Sequence, residues 1–166
     1  MSPAIRGRSS ICPCAGSDPG QNGAASDGTG PLPAQGHAIF TAAHSLLGTR
    51  FRLHGGAPES GLDCIGLILV AHAGAGVTID TAGLRDDYAL RGSAPAEVEA
   101  GLRMAGFSRR IGSHRCGDVA LIGCGHGQHH LALLGPASHV HAHAGLRRVV
   151  ETPGLPEGLR SIWHRV

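Results

Sequence analysis

Cys64 stands in the run Gly61-Leu62-Asp63-Cys64-Ile65-Gly66-Leu67, at the head of a nearly continuous apolar segment that reaches Ala73. A thiol attacks a carbonyl only as thiolate, and its reference pKa of about 8.5 leaves little of that form at neutral pH. Unpaired amides at a helix start and a nearby imidazole both favour the anion. Position supplies the first aid. The second must come from a histidine, and the downstream sequence is loaded with them: His126, His129, His130, His139, His141 and His143. His130 heads the stretch Leu131-Ala132-Leu133-Leu134, where a strand would hold its ring rigidly. His141 falls on the next strand, where it can orient the first imidazole. The backbone N–H of Cys64 would then serve as an oxyanion donor. A lone cysteine at a helix start, followed by strand histidines, points to a thiol hydrolase more than to a metal site.

Plainer readings of the same residues stay open. A cysteine in an apolar run can be an inert small hydrophobe. Asp63 can be a helix cap and nothing more. His139, His141 and His143 alternate, so they share one strand face, which can simply be a wet one. Cys116, Cys124, His126, His129 and His130 lie close in sequence, and thiolate with imidazole suits zinc. Their spacing fits no standard finger, and a strand between Cys116 and Cys124 would splay them apart.

The elements that must position these groups follow from pattern. Residues 1–36 read as a disordered tail of Pro, Gly, Ser and Asp without hydrophobic periodicity, carrying Cys12-Pro13-Cys14 as an incidental pair. Residues 37–166 read as one domain. Ile39, Ala42, Ala43, Leu46 and Leu47 recur at helical spacing over residues 37–47, with Gly48 as the stop. Residues 50–61 are a loop marked by Gly55-Gly56 and Pro58. A helix from Cys64, capped by Asp63 and closed by Gly74 and Gly76, is apolar around most of its circumference and must be enclosed. Residues 80–94, with Asp86-Asp87-Tyr88, form a polar connection. Pro95 starts an amphipathic helix through Met104, with Glu97 and Glu99 near its start and Arg103 near its end, as the helix dipole favours. Strands are expected over residues 119–122, 131–134, 139–143, 147–151 and 162–166. Helices first and strands later is the order of an α+β domain whose helices pack on an antiparallel sheet.

Composition narrows the partners. A formal net charge of +2 in 166 residues gives no reason to expect nucleic acid. No stretch approaches the ~20 apolar residues of a bilayer span, so no membrane insertion is expected. All fourteen basic residues are arginine, which fits genome base composition in a chain rich in Gly, Ala and Pro. The first twenty residues lack the apolar run of a secretory signal. The expectation is a chain made in the cytoplasm and kept there unless a lysis or phage-type device carries it out. An odd number of cysteines, five, then argues for free thiols.

Asp63-Cys64-Ile65-Gly66-Leu67 resembles the Asp-Cys-Ser-Gly-Leu motif of the NlpC family of bacterial cell-wall cysteine peptidases. Leu47-Gly48-Thr49-Arg50-Phe51-Arg52 is similar to that family's Gly-Thr-Pro-Tyr-Arg approach, with Phe51 where the family has a tyrosine whose hydroxyl reaches the site. Gly117-Asp118-Val119-Ala120-Leu121 resembles its Gly-Asp-Leu strand start. His130-Leu131-Ala132-Leu133-Leu134 is similar to the His-Val-Gly-Ile-Tyr strand that carries the base, and Val140-His141-Ala142 to the Ile-His-Ala segment that carries the third polar residue. The ending Val149-Val150-Glu151 resembles phage and gene-transfer-agent members. The likeness runs over residues 38–166, in the family's order. It implies a papain-like α+β fold with a central helix starting at the catalytic cysteine. It implies Cys64 as nucleophile, His130 as general base and acid, and His141 as its orienter, with Asp63 helping to hold the substrate's free amine. It implies cleavage of peptidoglycan stem peptides between D-glutamate and a diamino acid, no cofactor and no metal, and phage-tail-like structural proteins as partners. Two alternatives remain beside it. A tight hairpin at Pro136-Ala137 would put His143, not His141, directly opposite His130. The same fold can also serve as a catalytically silent wall-binding or structural tail component.

Overall fold

The computed structural model describes residues 33–81, 92–125 and 127–166. Most of the expected tail, Cys12 and Cys14, the Asp86-Asp87-Tyr88 connection and His126 lie outside the described residues. Eleven elements follow in the order α1 (Pro33–Ser45), β1 (Gly56–Ala57), β2 (Gly61–Leu62), α2 (Cys64–Gly74), α3 (Pro95–Met104), β3 (Phe107–Arg109), β4 (Val119–Gly123), β5 (His129–Leu134), β6 (Ser138–His143), β7 (Arg148–Pro153) and β8 (Leu159–Arg165). The last six form one antiparallel sheet in the order β3-β8-β4-β5-β6-β7. Helices packed on an antiparallel sheet are the expected α+β arrangement.

Strand alternation divides the sheet's residues between two faces. Val119, Leu121, Leu131, Leu133, Val140, Ala142 and Trp163 share the main core with Ile39, Phe40 and Ala43 of α1, Leu67, Ile68 and Ala71 of α2, and Val98 and Leu102 of α3. Each fully buried aliphatic side chain of this kind contributes about 1.5–3 kcal/mol. The other face carries a smaller cluster of Ala120, Ile122, Ala132 and Leu134, with Leu159 and Ile162 packed against it. Enclosure of α2 explains its sequence: an element covered on nearly all sides has no use for a polar face.

α1 begins four residues earlier than its apolar pattern announces, and residues 33–36 therefore belong to the folded body and not to the tail. Pro33 is tolerated in the first turn, where its missing N–H costs nothing. Gly36 is buried, and a β-carbon on it would come within 2.0 Å of the Cys116 carbonyl oxygen. Close backbone approach of this sort leaves no hydrophobic signature. At the other end, Leu46 and Leu47 leave the helix through bonds to the carbonyls of Ala43 and His44, three residues back.

The Gly117-Asp118 pair ahead of β4 is structural. Asp118 is buried and holds the Arg110 guanidinium through two bonds, Arg110 Nε to Oδ2 and a second of 2.8 Å to Oδ1, and accepts the Arg115 N–H at 2.7 Å. α3 is fastened by a chain in which the Trp163 indole N–H donates to Ser161 and Ser161 donates to Glu99, while the Arg103 guanidinium lies 5.1 Å over the Trp163 ring.

Candidate active site

Cys64 is the first residue of α2, and the cap is the one the sequence promises. Asp63 has extended backbone, and its Oδ1 accepts the Gly66 N–H at 2.7 Å. With the third amide of the turn taken, the amides of Cys64 and Ile65 are left to the Cys64 sulfur, which they reach. The turn is pressed against the loop before it. A β-carbon on Gly66 would stand 2.0 Å from the Gly55 carbonyl oxygen, and that same carbonyl accepts the Asp63 N–H at 3.1 Å. Residues 50–62 thus fix where the helix starts. Leu62 N–H donates to Arg50, Arg52 N–H donates to Leu62, and the short β1–β2 hairpin closes the loop.

His130 and His141 meet across β5 and β6. His130 Nε2 lies 3.0 Å from His141 Nδ1, and the two rings are edge to face at 5.2 Å between centroids. The strands pair at Leu133–Val140 and Leu134–His139, a register that, extended, would oppose His130 to His143. Pairing stops before that point, and the contact is the diagonal one. His143 is engaged locally: its Nδ1 accepts the Leu146 N–H at 3.1 Å in the turn that follows β6. The far side of His141 reaches Thr152 Oγ1 at 3.3 Å from Nε2. Thr152 was not singled out in the sequence, because an alternating polar residue on an edge strand carries no signal of its own.

Cys64, His130 and His141 all line one open pocket of about 480 Å³, together with Asp63, Phe51, Leu53, His54, Ile65, Cys124, Gln128 and His143. Among the described residues Cys64 makes no hydrogen bond to His130. Burial pushes the Cys64 thiol up to about 12; the adjacent Asp63 carboxylate adds to this, and the N–H groups of Leu131, Cys64 and Ile65 oppose it. Burial, followed by the positive character of His141, His143 and His139, lowers His130 to about 4. His141 is lowered to about 4 by burial and by His139 and His143. At neutral pH Cys64 therefore rests as a neutral thiol, and His130 and His141 as neutral imidazoles.

Among the described residues the candidate zinc ligands are not brought together, and His126 lies outside them. Alternation sends His129 to the face opposite His130, and its Nε2–H donates to the Ser93 carbonyl at 3.0 Å. Among the described residues, no three His, Cys, Asp or Glu side chains are grouped to hold a metal ion. Among them also, no helix is long and apolar enough to cross a membrane.

No protein-family model matches the sequence, and a search of curated proteins finds no match. Solved structures do match. RipB from Mycobacterium tuberculosis, a peptidoglycan hydrolase, is 25% identical over 80% of this chain and 64% of its own, with a TM-score of 0.51. RipD from the same organism, a non-catalytic NlpC/p60 domain protein adapted to peptidoglycan binding, is 20% identical over 80% of this chain and 97% of its own, at 0.54. NlpC1 from Trichomonas vaginalis is 16% identical over 85% of this chain and 46% of its own, at 0.54. The chain spans less than two thirds of the RipB chain and under half of the NlpC1 chain.

Proposed function

We propose that this chain, which has the papain-like α+β fold of the NlpC/p60 domains, is a cysteine peptidase that hydrolyses amide bonds in peptidoglycan stem peptides. The observation that carries the reading is the convergence of Cys64, at a helix start, with the bonded His130–His141 pair in one pocket. Cys64 is the nucleophile, His130 the base and His141 its positioning residue. For His130 to accept the thiol proton on Nδ1, its own proton must sit on Nε2 and be donated to His141 Nδ1. His141 then carries its proton on Nε2 and donates it to Thr152 Oγ1. Every bond in this chain has one donor and one acceptor.

The steps follow. His130 takes the thiol proton as sulfur attacks the amide carbonyl carbon, and the N–H groups of Cys64 and Ile65 receive the developing oxyanion. The proton passes to the leaving nitrogen as the C–N bond breaks, giving a thioester. Water attacks that thioester, with His130 again taking a proton and returning it to the sulfur. The D-glutamate–diamino acid bond is the finer assignment, with Asp63 facing the free amine. A phage-tail or gene-transfer-agent setting, with tail-like structural proteins as partners, rests on the Val149-Val150-Glu151 ending.

A specific observation favours a second reading, a silent wall-binding module. The thiol is buried, is pushed far up, and among the described residues has no imidazole bonded to it, while Phe51 brings no hydroxyl to the pocket. RipD, a non-catalytic protein of this fold, is the precedent. Digestion of purified sacculi separates the readings. Wild type should release peptide fragments that Cys64→Ala does not. Equal release by both would sink the mechanism, and no release by either favours the silent module.

A further inference from the structure

The sheet face that carries His130 and His141 extends past them to its edge. Residues 49–51 add to the outer side of β7: Val149 N–H donates to Thr49 at 2.8 Å, Phe51 N–H donates to Arg147 at 2.9 Å, and Arg50 and Arg148 form an antiparallel bridge. Arg148 is in turn directly opposite His143 in the β6–β7 register. Directly opposed residues of an antiparallel pair share a face, with β-carbons about 5 Å apart. Arg50, Arg148 and His143 therefore make a transverse row from the sheet edge to the pocket that His143 lines.

Two facts mark this row as more than solvated surface. Arg50 and Arg148 are both exposed, and among the described residues neither forms an ion pair. Like charges held directly opposite each other cost stability, so the pairing works against the fold. Among the described residues no arginine lines the pocket, and the chain has no lysine. The row therefore brings two guanidinium groups, unpaired among the described residues, to the strand beside the pocket residue His143. Guanidinium forks are matched to planar carboxylates, which accept two parallel N–H bonds.

We propose that Arg50 and Arg148 form a carboxylate-binding subsite that holds a free carboxylate of the stem peptide beside the Cys64 pocket. The assignment rests on the reading of the site as one for stem peptides. A glutamate joined to its neighbour through one carboxyl group keeps the second as an anion close to the bond being cut. Arg148, one strand beyond His143, is placed to meet it.

The test uses two synthetic stem peptides that differ only at the free glutamate carboxyl, one acid and one amide. For wild type, KM for the acid should be the lower. In Arg148→Gln, and in Arg50→Gln, the amide-to-acid KM ratio should fall by up to about fivefold, as for an exposed ion pair worth up to about 1 kcal/mol. An unchanged ratio overturns the subsite. Calorimetric titration of both peptides into Cys64→Ala keeps this separate from catalysis. An acid preference there that is lost on adding Arg148→Gln upholds the subsite even if wild type hydrolyses neither peptide, a result that would remove only the peptidase reading. No preference, no binding of either peptide, or binding only to a phosphate-bearing wall polymer overturns it.

Discussion

His130 and His141 touch through Nε2 and Nδ1 at 3.0 Å, on strands whose extended register would have opposed His130 to His143. The diagonal contact assigns unequal weights to the two neighbours. His141→Ala should lower kcat/KM on a stem peptide by about 10- to 100-fold, and His130→Ala by about 10²–10⁴-fold. His141→Gln, which keeps a carbonyl acceptor, should recover part of the loss. His143→Ala should cost less than about threefold, because its Nδ1 is spent on the Leu146 N–H. Thr152→Val removes the acceptor for His141 Nε2–H and should cost a few-fold. A larger effect at His143 than at His141 would reverse the assignment.

The resting charge state is open to direct measurement. With the thiol pushed up to about 12 and His130 lowered to about 4, no thiolate–imidazolium pair is stored in the free protein. Alkylation of Cys64 by iodoacetamide, read by mass spectrometry, should climb steadily with pH through 9 without a plateau. Hydrolysis should be lost on the acid side as pH falls toward 4 and His130 takes up a proton. A plateau of alkylation near pH 6 would reveal a preformed ion pair and contradict the neutral resting state.

Asp63 has two roles on trial, and isosteric replacement parts them. Asp63→Asn keeps an oxygen for the Gly66 N–H, so thermal stability should change little, while Asp63→Ala should cost about 1 kcal/mol. If the carboxylate also meets the substrate's free amine, both variants raise KM for a peptide with that amine and neither does so for its acetylated form. Loss of stability in the alanine variant with no KM change in either would leave Asp63 a cap alone.

Much of this was legible in residue order, for physical reasons that differ by residue. Asp63, Cys64 and the apolar run behind them announce a capped and enclosed helix, because capping and amphipathicity are local properties. Pro95–Met104 is likewise bounded by its own proline and charges. What was hidden depends on backbone approach or on pairing across the sheet. The start of α1 at Pro33 is set by Gly36 meeting the Cys116 carbonyl, and β3 (Phe107–Arg109) is a strand because β8 pairs with it. The Val140-His141-Ala142 resemblance named His141 as the partner of His130, but spacing alone left His143 open, because it does not encode the early end of the β5–β6 ladder. Thr152 and Cys124 reach the site through neighbours far away in the chain.

His72 ties the stability of α2 to pH. It lies in α2, fully buried; its Nδ1–H donates to the Ile68 carbonyl at 2.7 Å, its Nε2 has no hydrogen-bond partner among the described residues, and its ring meets Phe107 edge-on at 5.5 Å. Burial lowers it to about 4 from an ordinary 6.5. Between those values the unfolded chain binds a proton that the folded chain refuses, so folding stability rises with pH across that window. The contribution is intact above about 6.5 and is lost as pH falls to about 4, to a total of about 3 kcal/mol. His130 and His141, both lowered, act in the same direction. Thermal unfolding at pH 7.5 and pH 4.5 should therefore show a marked drop in Tm for wild type. His72→Leu fills similar volume without a titrating ring, and its drop between the same two pH values should be clearly smaller. Parallel drops in the two proteins would mean that His72 is not the group that sets the slope.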